Sequence, residues 1–164
     1  MRLAVKVLIA VDSSAVSEKA VALAGTLWGR QPAGVAITLF HVVESLPDYI
    51  VSRSQTGPFQ QVVAEWAAFT RQAGEALLAR CAARLTEAGI PAAQVTTQLC
   101  LRDALPEAKR VVAAQAIIEE MKAGDYKLVL IGRRNTASQT SSIVGGVAEK
   151  VIREGQGRTI CVVD

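Results

Sequence analysis

Val5-Lys-Val-Leu-Ile-Ala-Val11-Asp12-Ser13-Ser14 decides the fold. Its first seven residues are apolar apart from Lys6 and rich in β-branched side chains, as a strand buried on both faces requires. The run stops at Asp12, and Asp-Ser-Ser is turn and N-cap chemistry. Val16, Ala20, Leu23 and Leu27 then recur at helical spacing until Gly29 and Pro32 stop the helix. The chain therefore opens with a strand that feeds directly into a helix.

The same unit recurs downstream. Val35–Val43 reads as a second strand, and 44–59, with Pro47, Gly57 and Pro58, as a long polar loop of the kind that often serves as a lid. Val62, Trp66, Phe69, Ala73, Leu77, Cys81 and Leu85 predict one continuous buried helix stripe, ended by Gly89 and Pro91. Val95–Leu101 is a third strand. Pro106 opens a helix whose predicted buried face is Ala108, Val111, Ala114, Ile118 and Met121, closed by Gly124. Leu128–Ile131 is a fourth strand. A last helix carries Val144, Val147, Ala148 and Val151 and is ended by Gly155 and Gly157, and Thr159–Val163 is the final strand. Strict alternation with apolar strands predicts an α/β fold, a parallel sheet covered by helices on both faces. Ligands of such sheets bind beyond the carboxyl ends of strands, where the strand order reverses. The loops after the first and fourth strands are the candidates.

Composition narrows the function. The chain has 164 residues, and one domain spanning 1–164 is expected. It is 51% hydrophobic and 20% charged, which supports a large core and excludes global disorder. Aromatics at 4% argue against a stacking platform for single-stranded nucleic acid. The net charge of +3 is scattered, and Arg133-Arg134, its densest cluster, suits one small anion and not a nucleic-acid stripe. Cys81, Cys100 and Cys161 lie in apolar segments without metal spacing and read as buried free thiols of a reducing, cytoplasmic compartment. No run approaches the roughly 20 apolar residues of a membrane span. The sequence contains no P-loop, no dinucleotide-binding glycine pattern and no nucleophile elbow. His41 lies inside the second strand and reads as a half-buried histidine with a hydrogen-bond partner.

The loop after the fourth strand holds Gly132, Arg133 and Arg134, hydroxyls at Ser138, Thr140, Ser141 and Ser142, and Gly145-Gly146 at a helix start. Close backbone approach, positive charge and free helix N–H groups describe a phosphate cradle. A flexible polar loop with turn glycines has the same composition. Asp12 can accept hydrogen bonds from a ribose or an adenine amino group, and it can equally cap the helix behind it.

The chain resembles the universal stress protein family over nearly its whole length. The resemblance lies in Val7–Ser14 with Ser17-Glu18-Lys-Ala20, in Leu39-Phe-His-Val-Val43, in Leu128-Val-Leu-Ile-Gly-Arg-Arg134, and in Gly145–Ile152 followed by Ile160–Val163. It implies a Rossmann-like fold of the adenine nucleotide alpha hydrolase type, with a five-stranded parallel sheet in the order 3-2-1-4-5. It further implies a regulatory module that binds ATP or AMP without dedicated catalysis, slow hydrolysis aside, with Mg only where ATP is bound. The family's signature is Gly, two residues, Gly, nine residues, Gly, then Ser or Thr. Gly132 and Gly145 match it, whereas Asn135 replaces the second glycine and Gly146 the hydroxyl residue. The resemblance makes Ala10, Val11, Asp12, Ser13 and Val42 the adenosine half of a site, and Gly132, Arg133, Arg134, Asn135, Gly145, Gly146 and Val147 its phosphate half. Arg158 would extend the positive surface, in a stretch where the family often carries proline. A homodimer through Thr159, Ile160, Cys161, Val162 and Val163 is also implied. The two departures leave an alternative within the family: a protein-interaction member that works independently of nucleotide.

Overall fold

The structure, a computed structural model, describes residues 4–30, 34–45, 57–103, 108–133 and 146–164. Its elements are β1 (Val5–Ala10), α1 (Ala15–Trp28), β2 (Val35–Ser45), α2 (Pro58–Glu87), a single 3-10 turn (Ala92–Gln94), β3 (Val95–Asp103), α3 (Lys109–Ala123), β4 (Leu128–Gly132), α4 (Gly146–Glu154) and β5 (Thr159–Val163). All strand pairs are parallel and the order is β3-β2-β1-β4-β5, as expected.

The period of two along each strand divides the core between the two faces. Val7, Ile9, Val11, Ile37, Leu39 and Leu130 pack with residues of α1 and α2. Leu8, Ala10, Phe40, Val129 and Ile131 pack with residues of α3 and α4. The central strand β1 is buried on both faces from Val7 to Ala10, which is why its sequence is continuously apolar.

The helices depart from their predicted stripes in instructive ways. In α1 the buried residues are Ser17, Ala20, Val21, Ala24 and Gly25, and Leu27 is exposed. Small side chains decide that face: a Cβ on Gly25 would lie 2.8 Å from the Cβ of Ala88 at the end of α2. In α2 the expected stripe holds only from Gly74 onward, through Leu77, Cys81 and Leu85, whereas Val62, Trp66, Phe69 and Ala73 are exposed. The helix simply outruns the sheet. Its end is as predicted: Gly89 has φ +102, with Ile90 N–H donating to Leu85 O at 3.1 Å and Gly89 N–H to Thr86 O at 3.0 Å, a Schellman closure. In α3, Ala114, Ile118 and Met121 are buried as expected, joined by Ala116 and Ile117, but Val111 is exposed. In α4, Ala148 and Val151 are buried and Val147 half-buried.

The expected 44–59 loop is shorter at both ends, because β2 runs to Ser45 and α2 begins at Pro58. Its middle lies outside the described residues, as do Pro32, Pro106 and Val144. Cys81 is buried, and Cys100 and Cys161 are only half-buried; all three thiols are free. Among the described residues no helix is long and apolar enough to cross a membrane.

Candidate functional site

The strand order reverses beside β1. The chain leaves β1 for α1 on one face of the sheet, and α4, which follows β4, lies on the other. The two neighbouring strands therefore diverge at their carboxyl ends and leave a crevice between their exits. Register fixes its walls. Ala10 pairs with Ile131 on one side and Phe40 on the other, so Val11 and Gly132 follow side by side at strand spacing. Beyond Phe40, β2 continues to Ser45 and pairs only with β3, so β1 offers no partner to the other edge of Val42. Val11 N–H donates to Phe40 O at 2.9 Å, and its carbonyl accepts from His41 at 2.8 Å. A carbonyl only accepts, so His41 Nδ1 carries the hydrogen. His41 is thus the half-buried, partnered histidine expected.

The turn after β1 is built around Ser17. Ser14 is the N-cap of α1, with its hydroxyl accepting from Ser17 N–H at 3.3 Å. Asp12 is therefore not the cap. Its Oδ1 accepts from Ser14 N–H and from the Ser17 hydroxyl, each at 2.8 Å, while Ser17 Oγ accepts from Asp12 N–H at 2.9 Å. Ser17 is the buried polar residue of this region and Ser13 faces solvent. In the sequence Ser17 stands out only as part of the Ser17-Glu18-Lys-Ala20 resemblance. The available signal was one hydroxyl on an otherwise apolar or small helix face, five residues after a strand-end aspartate.

On the β4 side, Gly132 lies under the first turn of α1. A Cβ there would stand 3.0 Å from Val16 Cγ1 and 3.1 Å from Val16 Cβ. Arg133 N–H donates to Val163 O at 2.7 Å, and its guanidinium contacts the Asp164 carboxylate at 2.5 Å. Lys19 also reaches Asp164, donating to its carbonyl at 3.2 Å. Arg133 does reach the rim, but with its charge already facing a carboxylate. Gly146 opens α4, and a Cβ there would meet nothing within 4 Å. Arg134, Asn135 and Gly145 lie outside the described residues. Arg158 precedes Thr159, which pairs with Leu128 at the opposite, amino-terminal rim. Its charge therefore lies away from this crevice.

Among the described residues, Ala10, Val11, Asp12, Ser13, Val42, Gly132 and Arg133 thus stand at one rim. A separate open groove of about 550 Å³ between β3 and α3, lined in part by Leu101, Val111, Glu119 and Lys150, contains none of them. No group of three or more His, Cys, Asp or Glu residues able to hold a metal ion occurs among the described residues.

A five-stranded parallel sheet with helices on both faces and a crevice at its switch point defines an open, doubly wound α/β protein. The universal stress protein family profile matches residues 5–162, and the chain belongs to that family. UspA from Lactobacillus plantarum superposes with a TM-score of 0.70 at 16% identity, over 99% of each chain. A universal stress protein from Archaeoglobus fulgidus in complex with dAMP gives 0.59 at 16% identity over 100% of each chain. A universal stress protein in complex with cAMP gives 0.59 at 16% identity, over 98% of this chain and 96% of the other. At these identities the likeness is one of fold. No curated protein matches the sequence.

Proposed function

We infer that this universal stress protein binds an adenine nucleotide, ATP or AMP, at the β1–β4 crevice and acts as a regulatory module of the cytoplasm without dedicated catalysis. The observation that carries this reading is the convergence of Ala10–Ser13, Val42 and Gly132 on one carboxyl rim, with the edge of β2 beyond Phe40 left without a β1 neighbour. Two fold relatives are described in complex with dAMP and cAMP, which agrees with it. Val42 would offer its backbone to the base and the turn at Asp12 would meet the ribose. Gly132 and the N–H groups opening α4 would meet phosphate. Mg would arrive only with a triphosphate. The reading assigns no nucleophile, so phosphate release above that of an Asp12→Ala variant would call for an enzyme instead.

Thermal unfolding with ATP, ADP and AMP tests the reading. Ligand at a hundredfold its Kd stabilises by about 2.7 kcal/mol, a rise of roughly 5–10 °C for a domain of this size. No shift at millimolar ligand overturns it. A second reading, a nucleotide-independent interaction module, draws support from the internal partners of Asp12 and Arg133. Both side chains are already engaged by the protein's own groups, and an unchanged melting curve would favour that reading.

A further inference from the structure

Helix α2 is 30 residues long, and only its second half is packed. From Phe59 to Ala73 no residue is buried, a length of about 22 Å at 1.5 Å per residue. This free half is not polar. Phe59 is 71% exposed, Val62 59%, Trp66 37% and Phe69 69%. Scattered apolar residues on a surface are ordinary, but a contiguous stripe with three aromatics marks an interaction site.

The spacing of the stripe names its partner. Intervals of three, four and three residues are the a/d pattern of a helix–helix seam. They also read the same in both directions. A two-fold axis through the seam midway between Val62 and Trp66 sets Phe59 of one helix against Phe69 of a second copy, and Val62 against Trp66. Large meets small at the centre and ring meets ring at both ends. Such self-complementarity is what an isologous contact requires. The area agrees. With aromatic side chains covering about 150–250 Å² each, the exposed share of the four residues is roughly 450 Å². Two copies bury about 900 Å², close to but under the ~1,000 Å² of a specific interface. An interface of that size forms a weak, concentration-dependent pair.

We propose that the Phe59–Val62–Trp66–Phe69 face of α2 is a self-association surface, on which a second copy of this chain docks its own α2 antiparallel. Helix α2 packs on β2 and β3, so this surface is at the opposite side of the sheet from β5. The proposal is independent of nucleotide binding.

Sedimentation velocity from about 1 to about 200 µM tests it, a range that brackets micromolar association. Wild type and a Thr159→Lys variant at the β5 edge should both gain mass with concentration through the seam. Trp66→Glu and Phe69→Glu should move that step at least about tenfold higher in concentration, with melting temperature and helical circular dichroism unchanged. A mixture of Val62→Cys and Trp66→Cys chains, both lacking their native thiols, should oxidise to a covalent dimer of one chain of each kind, whereas a parallel pairing in register would link like chains only. The proposal is overturned if the seam variants leave the mass profile of wild type unaltered. It also fails if wild type stays monomeric at the highest concentration with Trp66 shielded from acrylamide, since the chain would then cover its own seam.

Discussion

One buried hydroxyl, Ser17, organises the turn at the head of the crevice, because it accepts from Asp12 N–H and donates to the Asp12 carboxylate. Ser17→Ala removes both bonds and leaves a backbone donor without its partner. The expected loss is about 1–3 kcal/mol in urea unfolding, together with weaker nucleotide binding as the turn loosens. Gly146 is the complementary case. No steric demand requires glycine there, so Gly146→Ser restores a hydroxyl at a helix start without a clash. Since a hydrogen bond to a charged group contributes about 1.5–3 kcal/mol, ATP affinity should rise about tenfold or more by calorimetry, while adenosine affinity stays unchanged. Burial, the largest influence, pushes the Cys81 thiol above its ordinary value of 9.0. In the fold it keeps its proton at a pH where the unfolded chain has lost its own, so its contribution to stability declines as pH rises through that value. At neutral pH, maleimide should label Cys100 and Cys161 first and reach Cys81 only on unfolding. Asp12 was legible as a strand-end carboxylate. Its service to Ser14 and Ser17 was not, because that depends on how the first turn of α1 folds back over the strand.

At the scale of elements, legibility followed local chemistry. Apolar runs located all five strands, and glycines located the ends of α1, α2 and α3, because a strand's burial and a helix's stop are written in neighbouring residues. The face each helix presents is set by what lies beneath it. Val62, Trp66 and Phe69 continue the period of Leu77, Cys81 and Leu85 without a break, and nothing in that period says where the sheet ends. The first tight contact marks the boundary: a Cβ on Gly74 would lie 2.8 Å from Leu99 Cδ1 and 2.9 Å from Val43 Cγ2. Gly74→Ala should therefore cost about 1–3 kcal/mol through overpacking, and Leu85→Ala about 2–5 kcal/mol through the cavity it leaves. Phe69→Ala, on the same helix, should stay within about 0.5 kcal/mol in dilute protein. Chemical denaturation of the three variants at low concentration would display the boundary as a step in stability along a single helix.

At the scale of the molecule, alternation of strands and helices predicts a parallel sheet but leaves the strand order open. The order came with the family resemblance, and it is the order that places the switch point beside β1 and leaves β3 and β5 as edges. The edges differ. β3 has nine residues, of which Thr96, Thr97, Leu101, Arg102 and Asp103 are exposed, all but Leu101 polar or charged, and such groups discourage pairing with another sheet. β5 is short and, past Thr159, wholly apolar as Ile160-Cys-Val-Val163, with those four side chains half-buried. The homodimer implied for the family would therefore use β5, through backbone groups that face no other strand of the sheet. A Thr159→Lys/Val163→Lys variant adds charge along that edge and should lower the mass seen by light scattering at about 10 µM from two chains to one, because burying like charges opposite each other across a two-fold is strongly disfavoured. Monomeric wild type under the same conditions would refute the β5 dimer. With both surfaces intact the two contacts lie on opposite sides of each sheet, so a concentrated sample should pass beyond the dimer. Blocking either surface alone should then return it to pairs and no further.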